Sequence, residues 1–112
     1  MKNRNNGLLE NAGENTHNVV ERLVLEEKDH RKILDIPCGE GAFTWRMMEK
    51  QVDVFSADCE NIIKFDKAKF QVADMNKQLP YHDGQFDGVV CIDGIEHIER
   101  QFDFIRECRR IV

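Results

Sequence analysis

Cysteine pairs, long apolar runs and an excess of positive charge are all missing from this chain of 112 residues. Cys38, Cys59, Cys91 and Cys108 stand far apart and form no CxxC pair, the spacing by which cysteine-based zinc sites announce themselves. No metal is therefore expected. A disulfide framework does not suit a chain with this much regular patterning, so four reduced thiols and a cytoplasmic location are expected. No apolar stretch approaches the ~20 residues that cross a bilayer, and the opening Met1 to Asn6 is polar, unlike a signal peptide. No membrane partner is expected. The formal net charge of −5 lacks the basic footprint of a nucleic-acid binder and leaves uncharged or cationic small molecules open as ligands. With 41% hydrophobic and 33% charged residues, the length suits one small domain with a modest core.

What the chain does contain is an alternation of helical and extended patterns. Residues 1–14, rich in Asn, Gly and Glu, read as a flexible arm, and 15–112 as the domain. Val19, Val20, Leu23 and Val24 recur at one-turn spacing and predict a helix from Asn15 to Lys28. Ile33 to Ile36 is a short apolar strand, stopped by Pro37-Cys38-Gly39-Glu40-Gly41, and Ala42 to Lys50 looks helical again. Val52 to Ala57 predicts a second strand ending at Asp58, Asn61 to Lys67 a short helix, and Phe70 to Ala73 a third strand ending at Asp74. Leu79 to Gly84 is a turn-rich connection that includes His82. Phe86 to Ile92 predicts a fourth strand ending at Asp93, and its run Gly88 to Ile92 shows no alternation, which predicts burial on both sides. Phe102 to Val112 closes as an amphipathic helix with Phe102, Ile105 and Cys108 on one side. Strands alternating with helices define an α/β fold, a parallel sheet with helices on both faces.

Ligands of open α/β sheets bind beyond the carboxyl ends of the strands. Asp35, Asp58, Asp74 and Asp93 occupy or adjoin those ends, each after an apolar run. The loop from Asp35 to Phe43 is the sharpest signal, because Gly39 and Gly41 stand between a strand and a helix, where glycine lets the backbone approach a ligand closely. A dinucleotide fingerprint would continue to a third glycine, but that position is Thr44, and no GKS or GKT follows. Asp35 would also repel a pyrophosphate, so a cofactor with a cationic end and no phosphate suits the loop better. Asp58 lies 23 residues after Asp35 (58 − 35), the region from which an acid can accept hydrogen bonds from both hydroxyls of a ribose. Asp58 could equally cap the helix expected after it. The pair Glu96-His97 supplies a candidate general base, since histidine titrates near neutrality.

The segments ILDIPCGEGAF, FSADCE, VADMNKQLPYHDGQFDGVVCIDGIEHI and IRECRRIV, in this order, resemble the class I S-adenosylmethionine-dependent methyltransferases, especially the methyltransferase type 11 group, over Lys32 to Val112. The resemblance implies S-adenosyl-L-methionine as cofactor and a Rossmann-like sheet of which this chain supplies the strand order 3-2-1-4, with the C-terminal half of the fold missing. It implies that Asp35, Pro37, Cys38, Gly39 and Gly41 lie under the methionine part, that Asp58 with Cys59 holds the ribose, and that Asp74 and Met75 flank the adenine. It places Ile92, Asp93 and Gly94 near the reactive methyl. In one departure, Pro37 stands where the family most often has its first glycine, which removes one backbone N–H. Glu-His pairs occur in members with different substrates, so the resemblance favours packing or substrate contact for His97 over base catalysis.

The implied activity is methyl transfer to a small-molecule acceptor, with no catalytic residue fixed and His97 the one candidate. A nicotinamide-dependent oxidoreductase half-domain and a degenerate binding or scaffold module are the competing readings. A fourth strand with a free edge would also be a template for self-association.

Overall fold

The computed structural model describes residues 7–8, 15–27 and 32–112. The expected arm therefore lies almost wholly outside the described residues, as does Lys28, where the first helix was expected to end. The element order is α1 (Thr16–Glu26), β1 (Lys32–Asp35), α2 (Ala42–Glu49), β2 (Asp53–Asp58), β3 (Lys69–Val72), β4 (Gly88–Val90), a single 3₁₀ turn (Ile95–His97) and α3 (Gln101–Ile111). The four strands form one parallel sheet in the order β3-β2-β1-β4. This is the α/β arrangement expected from the alternation.

Period-two alternation inside each strand sends neighbouring residues to opposite faces, and the sheet uses both. Ile33, Val54 and Val90 pack with Val24 of α1 and Phe43 and Met47 of α2. Leu34, Phe55 and Val89 pack on the other side with Phe104 and Ile111 of α3, together with Leu79, Phe86 and Ile98. The inner strand β1 is fully buried from Ile33 to Asp35, the signature of a parallel strand covered on two sides.

Four expectations are corrected. Residues 61–64 are irregular and 65–67 form a bend rather than a helix; Asn61 folds its side chain onto the Ile63 N–H at 3.3 Å, a local bond that competes with helical pairing. The fourth strand is three residues long and only half-buried, because β4 pairs with β1 on one side alone among the described strands. The inward face of α3 is Phe104 and Ile111 with half-buried Cys108, while Phe102 and Ile105 are exposed. In α1, His17, Glu21 and Val24 face inward and Leu23 is exposed. There Arg46 of α2 reaches across to Glu21 (3.7 Å) and to Asn18 (2.6 Å), so a buried polar tie sets the rotation of the helix.

The connection from β3 to β4 is tied to α3 through Arg110 and Glu107. Arg110 of α3 donates to the carbonyls of Leu79 (3.1 Å) and Tyr81 (2.8 Å) and to Asp83 (2.9 Å), and is itself oriented by Glu107 (2.8 and 2.9 Å). Glu107 in turn accepts the Leu79 N–H at 2.8 Å, and the Arg110 guanidinium bonds hold its carboxyl below the usual carboxylate range. The N–H groups of Gly84 and Phe86 bond the carbonyls of Arg110 and Ile111, which satisfies the last turn of the helix.

Candidate functional site

The chain leaves β1 through a loop wedged between the carboxyl ends of its two neighbours. The Ile36 N–H bonds the Val90 carbonyl of β4 (3.0 Å), the Cys38 N–H bonds the Ala57 carbonyl of β2 (2.9 Å), and the Ile36–Pro37 peptide between them is cis. Pro37 has no N–H to place, and its ring instead packs against Gly94, where a Cβ would lie 2.5 Å from Pro37 Cδ. The Gly39 N–H donates to Asp58 Oδ2 (2.9 Å), and the Cys59 N–H donates to the other oxygen, Oδ1 (2.7 Å). Asp58 thus ties the β1–α2 loop to the end of β2. The capping role considered for Asp58 goes to these two N–H groups, since no helix follows it.

Gly41 has a different place from the other loop residues. It adopts φ 97° and lies under Phe65, whose Cε1 would sit 2.5 Å from an added Cβ. It lines neither cleft described below. Phe65 also meets Trp45 edge-on at 5.2 Å, so the irregular segment after β2 roofs the start of α2.

Two clefts open along the carboxyl ends of the strands. The first, about 110 Å³, is walled by Asp35, Pro37, Cys38 and Gly39, by Asp58, by Ile92 and Asp93, and by His17, Ala42 and Phe43. The second, about 210 Å³, is walled by Ala73, Asp74, Met75 and Asn76, by Cys59, and by Gly94, His97 and Ile98. Pro37, Asp58 and Asp93 line both, so the two clefts are parts of one groove that meet at Asp58. Neither lining contains a lysine or an arginine among the described residues, while four aspartates stand along the groove.

Asp35 is the most unusual of the four. Burial raises its pKa to about 7, against the hydrogen bonds from Thr44 and with a further push from Asp58. Its Oδ2 accepts the Thr44 hydroxyl at 2.8 Å, and Thr44 Oγ1 lies 2.6 Å from Ser56 Oγ. Cys38 is no nucleophile, because burial, then Asp35 and Asp58, drive its pKa far up and only a thiolate attacks. Cys59, though exposed, is raised first by its hydrogen bond to Asp58. All four cysteines are free thiols.

The structure therefore gathers Asp35, Pro37, Cys38, Gly39, Asp58, Cys59, Asp74, Met75, Ile92 and Asp93 along one groove and leaves Gly41 behind it. His97 reaches the second cleft with a side chain 76% exposed, 3.4 Å from Glu96. Asp93, Glu96 and His97 each bring one ligand-type atom within 4.8 Å of the others, and all three are exposed. His17, Asn76 and Ile98 line the groove without having been singled out in the sequence. For Asn76 a signal existed, an Asx-type residue two after Asp74; it accepts the N–H groups of Glu99 and Arg100 (3.0 and 3.1 Å). His17 gave none, since it lies on a helix distant in sequence.

A parallel sheet in the order β3-β2-β1-β4, with helices packed on it and a groove over its carboxyl edge, is a Rossmann-like α/β fold. The family described as "Methyltransferase domain" matches residues 34–112, and the chain belongs to that family. It is 28% identical over 95 residues to the ubiquinone biosynthesis O-methyltransferase of Pseudomonas aeruginosa, covering 73% of this chain and 40% of that protein. It is 31% identical over 102 residues to the ajmaline N-methyltransferase of Rauvolfia serpentina, covering 76% of this chain and 33% of that protein. The crystal structure of a putative methyltransferase from an antibiotic biosynthesis pathway of Anabaena variabilis superposes with a TM-score of 0.73 at 19% identity, over 86% of this chain and 40% of the other. The chain thus spans 40% or less of the length of these relatives.

Proposed function

We propose that the groove binds S-adenosyl-L-methionine and that the protein transfers its methyl group to a small-molecule acceptor. One observation carries the reading: the groove has four aspartates and no lysine or arginine among its described lining residues. A dinucleotide would bring a pyrophosphate to walls that repel it. A nucleoside with a cationic end meets carboxylates instead, and the donor set fits that group.

In this reading the first cleft takes the methionine end beside Asp35 and Asp93. Asp58 sits at the junction, and each of its oxygens already accepts one backbone N–H. A carboxylate offers about four lone-pair sites, so two remain for ribose hydroxyls, and the existing bonds hold the carboxylate in place to receive them. The second cleft offers Ala73, Met75 and Ile98 as apolar walls for the base, with Asp74 and Asn76 at its rim. When bound, the cofactor supplies a methyl group already activated on a sulfonium, so the chain's contribution is to bind, orient and exclude water. His97 lines the second cleft from the 3₁₀ turn, with its side chain largely exposed. The acceptor stays open, because the relatives named above methylate oxygen in one case and nitrogen in the other.

Calorimetry with S-adenosylhomocysteine and NAD tests the reading. Binding of the first and not the second is expected; the reverse, or binding of neither, rejects it. Methyl transfer is followed separately with labelled cofactor over a panel of phenols and amines.

A further inference from the structure

We propose that binding of the cationic nucleoside in the first cleft expels a proton from Asp35, which is a carboxylic acid in the free protein and a carboxylate in the complex. The inference rests on the reading above, and it goes beyond it by assigning a proton to the binding reaction.

Asp35 ends β1, the one strand with a neighbour on each side that also carries the loop, and it is 2% exposed. Its side-chain partner is the Thr44 hydroxyl of α2. That hydroxyl has a single proton, so when Thr44 donates to Asp35, Ser56 of β2 donates to Thr44. The Ser56–Thr44 hydroxyl chain and the Thr44 backbone N–H therefore deliver hydrogen bonds to the carboxyl and no charge. The other groups that face the cleft are Asp58 from the end of β2, Asp93 beyond β4, His17 from α1, and the neutral Cys38 thiol from the loop. Two are acids, and no lysine or arginine lines the cleft among the described residues. Among the described residues lining the cleft, no lysine or arginine offers an ionised carboxyl a counter-charge, and burying an unpaired charge is the costlier choice. The pKa of about 7 follows from that environment.

A ligand whose ammonium or sulfonium enters the cleft supplies the missing positive charge. It lowers the Asp35 pKa, and the proton leaves to solvent. The sign follows: the complex binds fewer protons than the free protein, so affinity weakens as pH falls through 7. With the free pKa at about 7 and the bound value well below it, affinity at pH 6 is about tenfold lower than at pH 8. The same nucleoside without its charged amino-acid end, 5′-methylthioadenosine, gains nothing from an ionised Asp35.

The experiment is titration calorimetry of the purified protein at pH 7 in buffers of different ionisation enthalpy, with affinities measured from pH 6 to 8. S-adenosylhomocysteine is expected to release about half a proton at pH 7, as a group with pKa about 7 requires, and 5′-methylthioadenosine none. Asp35→Asn, shown folded by circular dichroism, should bind with no proton release and a flat pH profile. Thr44→Val removes a bond that favours the ionised form, so its midpoint should move above 7. His17→Gln should keep the linkage; if it abolishes the proton release, histidine is the titrating group and the inference is overturned. Binding of S-adenosylhomocysteine with equal heats in every buffer and a flat profile overturns the inference and leaves the functional reading standing. Failure of both nucleosides to bind overturns both.

Discussion

At one end of the groove the walls are buried and polar, with Asp35, Thr44 and Ser56 bonded into a chain behind the cleft surface. At the other end, Ala73, Met75 and Ile98 offer apolar surface and the polar groups Asp74, Asn76 and His97 stand half or fully exposed. Under the proposed function, the first end would discriminate by charge. It needs groups that cannot relax, and it takes them from the inner strand and the helix packed on it. The second end would discriminate by shape and apolar contact, which tolerates looser construction, and it is built from residues beyond the edge strand β3 and the 3₁₀ turn. Rigid scaffold is placed where an unpaired charge would be most costly.

The sharpest way to break this comparison is to remove the charge at the rigid end. In the ligand-free protein, Asp35 has a folded pKa of about 7 against an ordinary value of 3.8. Its contribution to stability is present in full below about pH 4 and is lost as pH rises through 7. Asp35→Asn should therefore be more stable relative to the parent at pH 8 than at pH 4, by a difference on the order of 4 kcal/mol; denaturant melts at both pH values read it, and parallel curves would refute it. Next in size is Asp58→Ala at the junction. A charge-assisted bond is worth about 1.5–3 kcal/mol, so affinity for S-adenosylhomocysteine should fall by tenfold or more, and a folded variant with unchanged affinity would remove Asp58 from the site. Gly41→Val tests the roof rather than the groove. It forces a side chain onto φ 97° against Phe65 and should lower stability by about 2 kcal/mol; Phe65→Ala in the same chain should recover the steric part and leave the backbone part.

At the looser end the effects are smaller. Met75→Ala should weaken nucleoside binding by about 1 kcal/mol through lost apolar contact, several-fold in calorimetry, while leaving the proton release untouched. Lys69→Ala sets the floor. Its ion pair with Asp53 (2.6 Å) and its position 4.7 Å over the Phe55 ring are exposed, so the melt should move by less than about 1 kcal/mol.

The sheet was legible because β1, β2 and β3 carry apolar runs that end in aspartates, and the loop because Gly39 and Thr44 bracket a strand-to-helix turn. Both features are local. The missed parts are set by partners far along the chain. Residues 61–67 carry helical spacing, yet Phe65 packs over Gly41 and Asn61 takes the Ile63 N–H. The faces of α1 and α3 were misassigned because Arg46 and Arg110 hold them: Glu21 is buried with Arg46, and the β3–β4 connection rests on Arg110. Hydropathy counts charged residues as outward-facing, so buried or bridging arginines escape it. His17 escaped for the same reason of distance, since nothing near it in sequence points to a groove formed by β1, β2 and β4.

Trp45 is the chain's single tryptophan, and it touches Phe65, the ring that covers Gly41 at the start of α2. The loop that carries Cys38 and Gly39 runs directly into that turn, with the Trp45 N–H bonded to the Gly41 carbonyl at 2.8 Å. The molecule therefore contains its own optical reporter. A ligand that tightens the loop would change the environment of that one indole, and the emission of the unlabelled protein would report it with no second tryptophan to compete.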